Sequence, residues 1–232
     1  MTPSEQVTAI DELQPAFLHG LEPAAIQALI KAADCHCFRA GSVILRQGYL
    51  ANKLLLLMRG RGRYIFTTES GQRLLLRWIP PGKVMGMATL MAAASHYFVS
   101  TEAIDDCHTL AWNKTTIRRL ASCYPAIWEN AFTMLANGVG DLIGVHASQT
   151  YDTAPQRIAR VLVSFAESLG QKIPDGIELS IRNEDLASAA NVTPFTASRV
   201  LNRWQRDGLV QKTRGKVILR SLEGLLLQEV SA

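Results

Sequence analysis

The sequence predicts an α+β chain in three parts: an N-terminal antiparallel β-roll, a long dimerisation helix, and a C-terminal winged helix-turn-helix. Three observations carry that reading. Between about residues 34 and 112, short apolar or alternating runs are separated by glycine and proline. An apolar stripe at heptad spacing then runs toward Thr150. Finally, two helical segments broken at VTPF are followed by a small basic hairpin. The expected divisions are 1–114 for the roll, 115–150 for the helix and 151–232 for the winged domain.

The bulk composition suits this plan. A chain of 232 residues with 48% apolar and 19% charged residues accommodates two ordinary domains and a core that needs no disulfides. MTPSEQVTAIDELQ is polar and acidic, unlike a signal or transit peptide. The apolar run LLLLM at 54–58 falls far short of the ~20 residues of a membrane span. The expectation is therefore a cytoplasmic chain with no membrane partner, whose Cys35, Cys37, Cys107 and Cys123 are reduced thiols.

In the first part, EPAAIQALIKAA (22–33) has helical spacing, with Pro23 suited to a first turn. FRAGSVILRQG, KLLLLMRGRGRYIFTT, QRLLLRWI and FVSTEAI read as strands, and PPGKVMG (80–86) as a turn between two of them. Several strands in about 80 residues suggest a compact antiparallel roll.

The long helix starts at about Thr115 or Ala126. Trp128, Phe132, Leu135, Val139, Leu142 and His146 recur along it in steps of 4, 3, 4, 3 and 4. That is a heptad seam rather than a broad amphipathic face, and it predicts pairing with a second copy of the chain. The plainer alternative is a stripe that packs on its own roll. Gly138, Gly140 and Gly144 weaken the helix but permit close approach or local flexing.

YDTAPQ punctuates the chain at 151–156. PQRIARVLVSFAESLG reads as an amphipathic helix with Gly170 beyond its end, KIPDGIELS as a turn plus a short strand, and NEDLASAA as a short helix with Asn183 as its cap. Thr193 caps the next helix, Pro194 opens it, and Gly208 stops it after about Asp207. LVQKTRGKVILR makes two strands around a turn at Arg214-Gly215. From 193 to 220 there are seven Lys/Arg (Arg199, Arg203, Arg206, Lys212, Arg214, Lys216, Arg220) against one acid, Asp207. A merely solvated helix face normally carries alternating acids, and these are missing.

A second helix of this kind lies in the major groove of double-stranded DNA. Thr193, Pro194, Phe195, Ser198, Arg199 and Asn202 fall on one side, while Val200, Leu201 and Trp204 turn to the core. Arg199 is placed to read guanine, whose two major-groove acceptors match its fork. Thr193, Thr196, Arg203, Arg206, Lys212 and Lys216 are placed for phosphates.

In this order, FLHGLEPAAIQALI, FRAGSVILRQG, MRGRGRYIF, PPGKVMGM, NEDLASAANVTPFTASRVLNRWQRDGLV and GKVIL resemble the bacterial cyclic-AMP receptor protein/FNR family of transcription regulators, from about residue 17 to 220. The resemblance implies a cyclic-nucleotide-binding-like jelly roll, a homodimer on a pseudo-palindromic operator, and RNA polymerase as a partner. It also implies an acidic residue a few positions before the recognition arginine. Phe195 and Pro194 stand there instead, so the arginine role carries over to Arg199 and the cytosine-reading carboxylate does not. Phe195 suits a thymine methyl.

The family's cyclic-nucleotide site resembles G-E-L followed about ten residues later by R-S. Here GMATLMAAASHYFVS (86–100) keeps Gly86 but has Met87 for the glutamate and His96, Tyr97 and Phe98 in the arginine-serine region. A cyclic phosphate would lack its counter-charge, which argues against cyclic AMP and for a different small effector in this pocket. Cys35 and Cys37, close together in a strand, are read as pointing to opposite faces. Cys107 and Cys123 do not restore the family's cluster spacing, which argues against an iron–sulfur centre. Haem sensing carbon monoxide or nitric oxide is the alternative, with His96 or Met87 as iron ligand and His36 and His146 as weaker candidates. No GxSxG, GK[ST] or HExxH motif supports an enzyme. The remaining rival is a roll that regulates a protein partner without DNA, which would need no basic second helix.

Overall fold

The computed structural model describes residues 3–213 and 215–230. It divides into two compact units, Met1–Gly140 and Asp141–Ala232. The first contains α1 (Pro3–Leu13), α2 (Pro23–Lys31), β1 (Asp34–Phe38), β2 (Val43–Leu45), β3 (Lys53–Arg59), β4 (Gly62–Thr67), β5 (Arg73–Ile79), β6 (Val84–Met85), β7 (Ser100–Ala103), β8 (Cys107–Asn113) and α3 (Lys114–Cys123). The strands form two antiparallel four-stranded sheets, ordered β1-β8-β3-β6 and β2-β7-β4-β5. This is the expected roll.

The run KLLLLMR lacks the alternation of a half-exposed strand because β3 is buried on both faces. Leu54, Leu56 and Met58 pack under the helices with Phe17, Leu29, Trp112 and Ile117. Leu55 and Leu57 turn to the roll interior with Ile79, Met85, Tyr97 and Ala103. The Trp112 Nε1 donates to the Leu29 carbonyl at 2.8 Å, joining β8 to α2. PPGKVMG is not only a turn, because its Val84 and Met85 form β6, and other elements of this unit went unread in the sequence. The polar-looking N-terminus forms α1, held by buried Ile10 and Gln6, and CHTLAWN forms β8, between β1 and β3.

The span 115–150 is not one helix. Asn113 caps α3, its side-chain oxygen accepting from the Thr116 amide at 2.8 Å, and the chain breaks at Tyr124-Pro125 before α4 (Ala126–Tyr151). The proline ring disfavours the helical conformation at the preceding residue, and Tyr124 adopts φ −129°, ψ 85°. The division between compact units falls at Gly140/Asp141, inside α4.

Cys35 and Cys37 do not point to opposite faces of the strand. Two residues apart in β1, they share one face, because strand side chains alternate with period two. Both are exposed, with Cys35 Sγ accepting from Gln6 Nε2 at 3.0 Å and Cys37 Sγ lying 3.3 Å from His108 Nδ1. Burial pushes the Cys107 thiol up to about 11, so it stays protonated and inert near neutrality.

The second unit contains the end of α4, then α5 (Ala154–Leu169), β9 (Gln171–Ile173), β10 (Gly176–Leu179), α6 (Asn183–Ala189), α7 (Pro194–Arg206), β11 (Val210–Thr213), β12 (Lys216–Leu219) and α8 (Leu222–Val230). Its antiparallel sheet runs β11-β12-β10-β9. Helix α5 buries Ile158, Ala159, Leu162, Phe165 and Ala166, and α8 packs on it through the fully buried Leu225. Asp152, just after α4, accepts from the Ser148 hydroxyl and from Arg160 Nη2 at 3.0 Å. Those bonds, the Ser148 one foremost, hold its carboxyl below the usual range.

KIPDGIELS forms a complete hairpin rather than a turn and one strand. Gly176 makes it possible: at φ +137° a Cβ would lie 2.1 Å from the Leu219 carbonyl oxygen. Asn183 is not the cap of α6. Arg182 holds that position and Asn183 is the first helical residue, its amide spent across the motif on the Pro194 carbonyl at 2.8 Å. In the hairpin of β11 and β12, Arg214 lies outside the described residues and Gly215 takes φ +75°.

Candidate functional site

Two places in the molecule gather chemistry, one in each unit. In the second unit, α6 and α7 are joined by a tight turn through Asn191 at φ +49°, a left-handed conformation that asparagine tolerates. Thr193 caps α7: its Oγ1 accepts from the Thr196 amide at 3.1 Å and meets the Thr196 hydroxyl at 2.9 Å. Pro194 follows at the first helical position. Replacing Thr193 with alanine is expected to cost about 1 kcal/mol of local stability. Hydrogen exchange of the α7 amides would report it as roughly fivefold faster opening.

Ala197, Val200, Leu201 and Trp204 bury the inner face of α7. That fixes which side chains point outward. Phe195 is 77% exposed, and Arg199, Asn202, Arg203 and Arg206 are exposed along the same helix, with Ser198 half-buried beside them. Arg199 and Arg206 have no hydrogen-bond or ion-pair partner among the described residues. Arg203 sits 3.9 Å from Asp207 one turn on.

The hairpin adds a feature the sequence did not reveal. Lys212, on β11, donates from Nζ to Asn202 Oδ1 at 2.8 Å and approaches Ser198 Oγ at 3.5 Å. Its charge therefore stands on the outward face of α7 rather than out on the hairpin. Lys216 pairs with Glu178 at 2.7 Å, so its charge is partly neutralised within the sheet. Strand periodicity gives no hint of either contact, because both cross between elements.

In the first unit, a cavity of about 420 Å³ opens against the roll. Gly86, Met87, Tyr97 and Phe98 all line it, together with Tyr64, Thr101 and Leu135 of α4. His96 does not: it is exposed and forms an isolated backbone bridge with Leu50. Gly86 has φ +81°, and a Cβ there would lie 2.6 Å from the Lys53 carbonyl oxygen, so only glycine fits. The Tyr97 hydroxyl accepts from the Lys53 amide and donates to the Lys53 carbonyl, both at 2.9 Å. The Tyr64 hydroxyl donates to the Val84 carbonyl at 3.2 Å, and burial pushes its pKa up to about 12. No lining residue carries a charge.

The residues of the expected seam lie on α4. Trp128, Phe132, Leu135, Val139 and Leu142 are all exposed large apolar side chains, and His146 is exposed as well. Phe132, Leu135 and Val139 are thus uncovered even within the roll's own unit.

Comparison with known proteins places both units. Residues 35–124 match the cyclic nucleotide-binding domain model, and residues 156–227 match the Crp-like helix-turn-helix domain model. The chain belongs to the Crp/Fnr family. A curated relative, the cyclic AMP receptor protein of Thermus thermophilus, is 27% identical over 217 residues, covering 94% of this chain and 96% of its own. Among solved structures, the c-di-GMP-responsive regulator CLP of Xanthomonas campestris aligns with TM-score 0.75 at 18% identity, covering 86% of this chain and all of its own. FixK2 of Bradyrhizobium japonicum aligns with TM-score 0.74 at 19% identity, over 86% and 98% of the two chains. Membership makes the chain a DNA-binding transcription regulator with a cyclic-nucleotide-binding-type sensing domain, in a family of regulators rather than enzymes. None of its described helices is long and apolar enough to cross a membrane.

The two cofactors a Crp/Fnr roll brings to mind do not fit this cavity. A cyclic nucleotide needs a cation for its phosphate, and the wall has none. Haem iron is held by imidazole, thiolate, phenolate, or thioether paired with imidazole. The wall has no imidazole or thiolate, its two phenols donate to backbone carbonyls, and Met87 and Met91 have no imidazole beside them on the wall.

Proposed function

We propose that the chain acts as a homodimer that reads a pseudo-palindromic operator in the cytoplasm, and that its roll responds to a small effector other than cyclic AMP. The observation that carries the reading is Arg199. It is exposed without a partner on a capped helix whose opposite face is locked by the fully buried Trp204. A guanidinium left free in a fixed position is ready to grip two acceptors at once. The neighbouring groups then divide the work. Phe195, Ser198 and Asn202 face base edges, with Lys212 beside Asn202 adding charge at the same spot. The Thr193 and Thr196 hydroxyls, Arg203, Arg206 and Lys216 meet phosphates, which fix register without reading sequence.

Regulation follows from the position of Leu135, which is both a wall of the cavity and a member of the α4 stripe. A ligand that touches Leu135 favours one packing of the paired helices over another and so shifts the population able to bind DNA. RNA polymerase recruited beside the operator is the partner through which such a shift reaches transcription.

The test is selection of bound duplexes from a randomised pool, followed by anisotropy titration of the winner and of a random duplex. Enriched inverted half-sites, with centres about 10–10.5 base pairs apart, are expected from two recognition helices in successive major grooves. Affinity for both duplexes should fall log-linearly with salt as phosphate contacts release counterions. A salt-insensitive interaction with no enriched sequence would replace this reading with a roll that regulates a protein partner.

A further inference from the structure

The cavity in the roll has a chemistry of its own. Three of its lining residues carry a hydroxyl, Tyr64, Tyr97 and Thr101, and none carries another polar side-chain group. Two are spent on backbone: Tyr64 on Val84, and Tyr97 on Lys53. The third is not. Thr101 is 1% exposed, and its Oγ1 has no hydrogen-bond partner among the described residues. Thr101 lies on β7, whose alternating burial turns Thr101 and Ala103 inward and Ser100 and Glu102 outward.

A buried hydroxyl without a partner is costly, and native interiors rarely leave one unless something else completes it. Around it the wall is built of Leu45, Met87, Ala88, Met91, Phe98 and Val99. Met91 and Phe98 line the cavity and are also exposed to solvent, and the Met thioethers give it an adaptable wall. A charged ligand would lose its hydration here and gain no counter-ion. A fully apolar ligand would leave Thr101 unsatisfied. At about 420 Å³ the space exceeds the ~150 Å³ known to hold a single benzene ring, so a molecule of about two rings fits.

We infer that the effector is an uncharged, largely apolar ring compound bearing one hydrogen-bonding group, held by dispersion against the Met and aromatic wall and oriented by Thr101 Oγ1. The inference rests on the reading of this roll as the sensor. It departs from the cyclic nucleotides bound by the family's namesake, and the absence of any charge on the wall is the physical reason.

The test uses the full-length protein loaded with the neutral fluorescent probe N-phenyl-1-naphthylamine. Competition is measured with 1-naphthol, naphthalene, 1-naphthoate and cyclic AMP. The expected order is 1-naphthol first, naphthalene several-fold weaker, and the two anions at least tenfold weaker than 1-naphthol. Thr101→Val should bring 1-naphthol down to the affinity of naphthalene, and Thr101→Ser should restore the preference. If 1-naphthoate or cyclic AMP competes as well as 1-naphthol, the uncharged class is wrong. If Thr101→Val keeps the preference for 1-naphthol, the assigned contact is wrong. Operator affinity is measured with and without saturating 1-naphthol. A ligand that binds with the expected Thr101 dependence but leaves DNA affinity unchanged supports the site and overturns the sensing reading instead.

Discussion

Replacing Arg199 with alanine is expected to weaken operator binding by about 1–3 kcal/mol and to relax preference at one base pair in each half-site. The prediction follows from how α7 is held. Trp204, Leu201, Val200 and Ala197 are buried, so the helix cannot roll to bring another side chain to the same base. Arg199 stands free of internal partners, so removing it leaves no orphaned acid and no cavity. Its loss should therefore leave folding intact and register only in recognition. Anisotropy titration of the selected operator and of variants at each position separates the outcomes. A loss confined to the operator, with one position becoming degenerate, identifies a base contact. An equal loss on every sequence would make Arg199 a phosphate ligand. Lys216→Ala is the useful contrast: it should weaken all duplexes alike and lower the salt slope by at most one unit, because its charge is already shared with Glu178.

The recognition helix was the most legible part of the sequence. Its cap, its proline start and its glycine stop are local signals, and its burial pattern follows from 3.6-residue periodicity alone. What periodicity could not supply was the position of Lys212. Only the fold reveals that β11 carries it across to Asn202. The same division holds in the roll. The strands were legible from their spacing, but β8 was hidden because CHTLAWN alternates poorly, being buried at nearly every position. Helix α1 was hidden because its polar sequence is held mainly by contacts to α2 and β3 rather than by its own propensity.

The candidate effector pocket divides along the same line. Gly86, Met87, Tyr97 and Phe98 were placed from the sequence, and the cavity gathers them. His96 was grouped with them because it is adjacent in sequence, yet neighbouring residues in an extended segment face opposite ways. Buried Tyr97 and exposed His96 illustrate it. Thr101 carried no signal at all. A threonine in a strand is ordinary, and its hydroxyl becomes informative only when every neighbour's partner is known.

Leu142→Glu should abolish the dimer at micromolar concentration. Leu142 is 65% exposed on α4, and Phe132 is 74% exposed on the same heptad stripe. A row of large apolar side chains left in water along one helix is the pattern of an interface waiting for its partner. Burying one leucine contributes about 1.5–3 kcal/mol, and a symmetric pair loses two. The expected shift is thus about 3–6 kcal/mol, or two to four orders of magnitude in the dimer dissociation constant, before the added cost of burying two like charges. Sedimentation of the purified variant reads the result directly, and Leu142→Met, which keeps the apolar contact, should remain dimeric. The consequence for DNA is larger than the loss of one contact. A monomer engages a single half-site, so the gain from linking two recognition helices disappears. If instead the glutamate variant stays dimeric, the stripe is not the seam, and the route from cavity to DNA through Leu135 must be abandoned with it.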